Sequence, residues 1–169
     1  MKLRPLDERG LTLTEVTIVA AIGVLVLLGL GGFYLNSQST WLDASSQSIT
    51  QREGTLITQA IADSVRESGG ASAPAVPDAE HAQVHLFRFN QASGTLETTA
   101  FWCFWWDPAD SLVHQGPDPA TDDRGPLSTS RVERFRVVAD NSLVQVALRL
   151  RSATGEPVEV STSAMMRNR

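Results

Sequence analysis

An apolar segment near the N-terminus, residues 11–35, constrains the fold of this chain more than any other feature. It contains 17 apolar side chains, four glycines, three threonines and one charged residue, Glu15, and no proline interrupts it. As an α-helix the segment is roughly 37 Å long, enough to cross a hydrocarbon core of about 30 Å. The sequence therefore predicts a membrane-spanning helix.

The ten residues before this segment are polar and carry three basic residues against two acidic ones. A basic flank is retained in the cytoplasm, which places the C-terminal part outside. A cleaved secretory signal would have a shorter apolar region, and a lipoprotein signal would need a nearby cysteine. A plain signal anchor fits the length but leaves Glu15 unexplained, because a carboxylate inside a membrane span costs on the order of 2.5–3.5 kcal/mol.

Residues 10–15, GLTLTE, preceded by Arg9 and followed by the apolar run, resemble the processing motif of type IV pilins and type II secretion pseudopilins. That motif reads roughly Gly-Phe-Thr-Leu-aliphatic-Glu. This sequence departs from it at Leu11, where the family usually has Phe, and at Thr14, where an aliphatic residue is usual. The glycine and the glutamate are both retained.

The resemblance implies that a prepilin peptidase cuts between Gly10 and Leu11 and that the new amine of Leu11 is methylated. It also implies that Glu15 pairs with the amine of a neighbouring subunit, which would neutralise two charges that are costly in lipid. The alternative is that Glu15 lies at the membrane surface and is solvated. The implied partners are other pilins or pseudopilins, the peptidase and an inner-membrane assembly platform.

Residues 36–68 are predicted to continue the helix as an amphipathic segment. A stripe of Leu42, Ile49, Leu56 and Ala60 is expected to face the core, with a neighbouring line of Ile57, Ile61 and Val65. Four polar residues are expected to face outward: Gln51, Arg52, Asp63 and Arg66. Gly69 and Gly70 end the helix, and residues 69–81 are expected to form a linker.

Residues 82–169 have the alternation of an extracytoplasmic β-domain. The predicted strands are 82–90, 95–106, 111–115, 131–139, 143–151 and 157–166, with a proline- and aspartate-rich loop at 116–127. The predicted fold class is α+β, with a long N-terminal helix, transmembrane in its first half, on an antiparallel sheet. The leader is residues 1–10. Residues 131–169 resemble the larger minor pilins and the J-type minor pseudopilins.

The charge distribution and the cysteine count further limit the classes of function that fit this chain. Residues 36–124 carry 12 acidic residues against four arginines, whereas residues 125–169 carry seven arginines against four acidic residues. An acidic chain argues against nucleic-acid binding, and the charge division suggests complementary surfaces within the fold or between neighbours. The single cysteine, Cys103, permits no internal disulfide. Since no catalytic constellation is present, the sequence predicts no enzyme.

Metal-binding residues are few. Asp118, Asp122 and Asp123 are weak candidates for Ca²⁺, which prefers carboxylate oxygens, but they have no fixed-spacing motif and a solvated acidic loop is the better explanation. His81 and His85 are four residues apart, but strand geometry makes chelation by this pair improbable. No other cofactor is expected.

Residues 101–106, FWCFWW, are the most unusual segment. Side chains alternate along a strand, so Trp102, Phe104 and Trp106 share one face and Trp105 lies on the other. The segment is either a central strand covered on both faces, or a strand that presents one face to another subunit. Trp102, Phe104, Trp105 and Trp106 are therefore the candidate interface residues.

The function that follows from the resemblance is a structural minor pilin or pseudopilin that primes or caps a filament. Such a subunit would be a single-pass protein of the bacterial inner membrane, with its C-terminal domain in the periplasm, and would then enter a pilus or pseudopilus. The alternative is a membrane-anchored binding module on the same scaffold, such as an adhesin or a DNA-uptake tip protein. The chain alone does not distinguish secretion, pilus and competence machines.

Overall fold

The computed structural model describes residues 12–73, 81–140 and 142–166. It contains two compact units, Met1–Leu42 and Asp43–Arg169. The predicted cleavage site, Gly10 and Leu11, and the C-terminal residues 167–169 lie outside the described residues.

One helix, α1, runs from Leu13 to Glu67. Its residues as far as Leu42 belong to the first unit, where every described side chain is exposed. From Asp43 onward the helix belongs to the second unit and buries one face. The buried residues of that face are Thr50, Gly54, Ile57, Thr58, Ile61, Ala62 and Val65.

The core-facing stripe of α1 differs from the prediction. Leu42, Ile49 and Leu56 are exposed, the last two by 66% and 57%, whereas Ile57, Ile61 and Val65 are buried. Consecutive residues are about 100° apart around an α-helix, so Leu56 and Ile57 lie on different faces, and the helix turns the face of Ile57 toward the core. The four polar residues predicted to face outward are all exposed.

In its described residues, the second unit also contains nine strands in three antiparallel sheets. A four-stranded sheet has the order β1-β2-β5-β6, a three-stranded sheet has the order β7-β8-β9, and β3 and β4 form a small hairpin. The strands are β1 Gly70–Ser72, β2 Gln83–Phe87, β3 Phe89–Asn90, β4 Thr95–Leu96, β5 Trp102–Asp107, β6 Leu112–Gly116, β7 Val132–Asp140, β8 Leu143–Arg151 and β9 Pro157–Met165.

The observed strands differ from the predicted ones mainly in the first half of the β-domain. The segment predicted as a linker contributes β1, which pairs with β2 through Gly70 and Phe87. The predicted strands 82–90 and 95–106 are each broken into two, because the β3–β4 hairpin projects between them. The long strands of the second half match the prediction within one residue at each end.

The core is one apolar cluster to which α1 and the two larger sheets contribute. Ile57 and Ile61 of α1 belong to the same cluster as Phe104 of β5 and Leu148 of β8. At Gly54 the helix approaches the three-stranded sheet so closely that an added Cβ would lie 2.9 Å from side-chain carbons of Leu150 and Val160. The predicted α+β class, a long N-terminal helix packed against antiparallel sheet, is confirmed.

Candidate functional site

The first part of α1 is long and apolar enough to cross a membrane. Its large apolar side chains, from Leu13 to Leu35, are exposed on the surface of the single chain. An apolar surface of this length requires either lipid or other apolar helices around it. Tyr34 and Trp41 are exposed near the end of the apolar stretch, where amphipathic rings favour the membrane–water interface.

Glu15 lies in the first turn of α1 and forms a reciprocal cap with Thr12. One carboxylate oxygen of Glu15 accepts hydrogen bonds from the Thr12 amide at 2.9 Å and from its hydroxyl at 3.0 Å. The Glu15 amide donates to the Thr12 hydroxyl oxygen at 3.3 Å. This is a capping box, in which a Thr and a Glu three residues later satisfy each other's amides. The Thr-x-x-Glu spacing signals this cap in the sequence, but the prediction considered only pairing between subunits or solvation at the membrane surface for Glu15.

The aromatic strand β5 lies between β2 and β6 inside the four-stranded sheet. Phe104 is 1% exposed and belongs to the core, while Trp102 and Trp106 on the same face are half-buried against it. Trp105, on the opposite face, is 6% exposed. Of the four rings predicted at an interface, Phe104 and Trp105 are thus covered by the chain itself and offer no surface to a partner.

A loop, residues 117–127, covers the second face of β5. The Cys103 thiol donates a hydrogen bond to the Pro117 carbonyl at 3.6 Å, and burial raises the pKa of this thiol to about 11. The Leu127 amide donates to the Val113 carbonyl at 2.7 Å, which ties the end of the loop to β6. Gly116 is required where the loop turns back, because an added Cβ would collide with the carbonyl oxygen of Asp122.

His114 of β6 joins this loop to the β5–β6 turn. Its Nδ1 lies 2.7 Å from a carboxylate oxygen of Asp123, and its Nε2 lies 2.8 Å from one of Asp110. A carboxylate at each ring nitrogen favours the doubly protonated imidazolium, since both nitrogens must then donate. Burial alone would lower the pKa of His114, but the hydrogen bonds and charges of Asp110 and Asp123 outweigh it and raise the pKa above its ordinary value of 6.5.

The three aspartates predicted as calcium ligands are each engaged by other groups. Asp118 accepts from the Ala120 amide and the Thr121 hydroxyl. Asp122 pairs with Arg124 at 3.1 Å, and Asp123 bonds His114. Each carboxylate therefore already has a hydrogen-bond or ion-pair partner in the loop or in β6.

Among the described residues, one group of three Asp and His side chains has ligand atoms within 4.8 Å of one another: Asp107, Asp110 and His114. The two imidazole nitrogens of His114 face Asp110 and Asp123, so these three residues form an ion-pair cluster. The group of Asp107, Asp110 and His114 contains none of the predicted calcium ligands.

The two histidines considered for chelation occupy separate environments. His81 stacks on Trp106, with ring centroids 3.5 Å apart and an interplanar angle of 18°. His85 lies in β2 opposite Cys103, and burial lowers the pKa of His85 in spite of the opposing charge of Asp118.

Glu53 holds the segment before β7 against α1. Its two carboxylate oxygens accept hydrogen bonds from the amides and hydroxyls of both Thr129 and Ser130. Burial works to raise the pKa of Glu53, but these four hydrogen bonds outweigh it and lower the pKa below 4.5. The sequence contains no signal for this contact, because Thr129 and Ser130 lie 76 and 77 residues after Glu53 in the chain.

Comparison of the chain with protein-family models, with curated proteins and with solved structures finds no match in any of the three.

Proposed function

We propose that this chain is a structural subunit of a type IV pilus or a type II secretion pseudopilus, of the minor class that primes or caps the filament. The observation that carries the proposal is the motif at residues 10–15, placed directly before an apolar helix that continues into an α+β domain. An ordinary membrane anchor needs neither a charged residue at the start of its span nor a helix continuous with the folded domain.

In this proposal the chain enters the bacterial inner membrane with its N-terminus in the cytoplasm and its β-domain in the periplasm. A prepilin peptidase removes residues 1–10, and Leu11 becomes the methylated N-terminus. The inner-membrane assembly platform then extracts the subunit into the filament through α1.

The exposed residues of α1 support assembly through the helix. Ile49 and Leu56 are seven residues apart and are exposed on the side of the helix opposite its buried residues. Residues seven apart lie nearly above one another on an α-helix, so the two side chains share one face. These residues therefore form a surface on which helices of neighbouring subunits can pack.

Processing is tested by intact-mass measurement of protein purified from membranes. We expect a chain that begins at Leu11 and carries one additional methyl group, and an uncut chain in a host that lacks the peptidase. Gly10→Val should also remain uncut, whereas Gly29→Val, in the second half of the span, should be cut normally. A mature chain that begins at Met1 in a host with an active peptidase would contradict the proposal.

A further inference from the structure

Strand β9, Pro157–Met165, is an outer strand of the three-stranded sheet. Its nine residues pair with β8 in an uninterrupted register from Pro157 to Met165. Within the described ranges, no strand pairs with its other side.

The hydrogen bonds at the two ends of this register show which main-chain groups face the free edge. Next to β9, the Ser152 amide donates to the Glu156 carbonyl at 2.9 Å and the Met166 amide donates to the Ser142 carbonyl at 2.8 Å. In an antiparallel pair, residues bonded to the neighbouring strand alternate with residues that turn away from it. The even-numbered residues 158–164 therefore face β8, and the N–H and C=O groups of Glu159, Ser161, Ser163 and Met165 point toward the free edge.

This edge has few of the devices by which proteins block edge pairing. Lysines, bulges and inward-pointing charges are the usual ones, and β9 has none of them. Its one charged residue, Glu159, points outward and lies 3.6 Å from Arg149. Pro157 is at the first position of the strand, where it leaves the rest of the edge free.

The core beneath β9 is incompletely covered. Val158, Val160 and Thr162 point toward the core but are only half-buried, whereas Val146 and Leu148 in the adjacent β8 are each 2% exposed. A further strand beside β9 would bury the exposed parts of these side chains and would satisfy the outward main-chain groups.

We propose that β9 pairs with the β9 strand of a second copy of this chain in an antiparallel arrangement. The register that overlaps all nine residues brings Ser161 opposite the partner's Ser161 and Glu159 opposite the partner's Ser163. It matches edge-facing residues with edge-facing residues, as main-chain hydrogen bonding requires, and it brings no like charges together. On the core side, Val158 meets the partner's Ala164 and Val160 meets the partner's Thr162.

The pairing depends only on the β-domain and is independent of the proposed function. Gly10→Val, which should block processing, should leave the pairing intact. A failure of processing and a failure of pairing are therefore distinguishable.

Cysteine cross-linking of the full chain in lipid vesicles tests the contact. Under mild oxidation Ser161→Cys should form a disulfide-linked homodimer, because opposed residues of an antiparallel pair lie within disulfide reach. The wild-type chain, whose Cys103 is buried, and Thr154→Cys, in the exposed β8–β9 turn, should form no disulfide-linked dimer. Absence of a Ser161→Cys homodimer, or an equal yield from Thr154→Cys, would overturn the proposal.

Opposite charges at one exposed position test the register. Ser163→Lys would lie opposite the partner's Glu159 and should tighten the dimer, whereas Ser163→Glu would oppose like charges and should weaken it. We expect the dissociation constants of the two variants, from sedimentation in detergent, to differ by about tenfold or more. Equal constants would overturn this register. If Ser161→Cys links instead to a different co-expressed pilin subunit, the second copy is the wrong occupant of the edge.

Discussion

At the scale of single residues, the two histidines of the four-stranded sheet should respond to pH in opposite directions. Because the folded-state pKa of His114 is raised, its contribution is fully present below the unfolded value of 6.5 and is lost as pH rises through the folded pKa. Because the folded-state pKa of His85 is lowered, its contribution is present above 6.5 and is lost as pH falls through the folded pKa.

We therefore expect His114→Gln to destabilise the protein at pH 6, on the order of 1–2 kcal/mol because both carboxylate partners are partly exposed. The effect should diminish toward pH 9. His85→Gln should instead reduce the loss of stability in acid. Thermal unfolding of the purified chain in detergent between pH 5 and 9 measures both effects, and parallel pH profiles of the two variants would contradict the assignment of an ion-paired His114.

Glu53 provides a second prediction at this scale. Glu53→Gln replaces a charged acceptor of four hydrogen bonds and should lower the free energy of unfolding by about 1–2 kcal/mol at pH 7. Since the folded-state pKa of Glu53 lies below 4.5, the difference from wild type should disappear as pH falls through that pKa. Glu67→Gln, at the exposed end of α1, is the matched control for urea unfolding. A Glu53→Gln variant as stable as the control would show that these hydrogen bonds do not stabilise the fold.

At the scale of elements, β5 should act as core on both of its faces. Phe104→Ala removes a ring from the main cluster, and Trp105→Ala removes a buried ring that lies beside His114 on the other face. Each should cost about 3–5 kcal/mol, as measured by denaturant unfolding. Val138→Ala, on the exposed face of β7, should change stability by less than about 0.5 kcal/mol. If Trp105→Ala behaves like the Val138 control, the second face of β5 is not buried in solution.

At the scale of the whole molecule, Glu15 has two possible roles that substitution can separate. Glutamine can replace glutamate in a capping box, but it cannot pair with a cationic amine of a neighbouring subunit. Glu15→Ala and Glu15→Gln should therefore both reduce incorporation into filaments, by about tenfold if one ion pair of about 1.4 kcal/mol is lost. Thr12→Ala, which removes the cap and keeps the carboxylate, should incorporate nearly as wild type.

Cross-linking to co-expressed pilins measures incorporation, and membrane fractionation confirms that each variant is inserted. Normal incorporation of Glu15→Gln together with poor incorporation of Thr12→Ala would show that Glu15 acts through the cap alone.

The sequence by itself determined the features that depend only on residues close together along the chain. The apolar run predicts the anchor because membrane thickness sets its length, and alternation predicts the strands of the second half because a sheet with one buried face requires it. The capping box of Thr12 and Glu15 is equally local. The α+β class follows from the order of these elements.

Only the tertiary structure decided which surfaces meet. The choice between the stripe of Leu56 and that of Ile57 depends on the rotation of α1 against the sheets, and helical spacing alone allows either. The contacts of Glu53 with Thr129 and of His114 with Asp123 need loops to return over the domain, and nothing local encodes that return. The free edge of β9 follows from the spatial order of the strands in the sheet, β7-β8-β9. Every strand has two edges, and the fold decides which of them pairs.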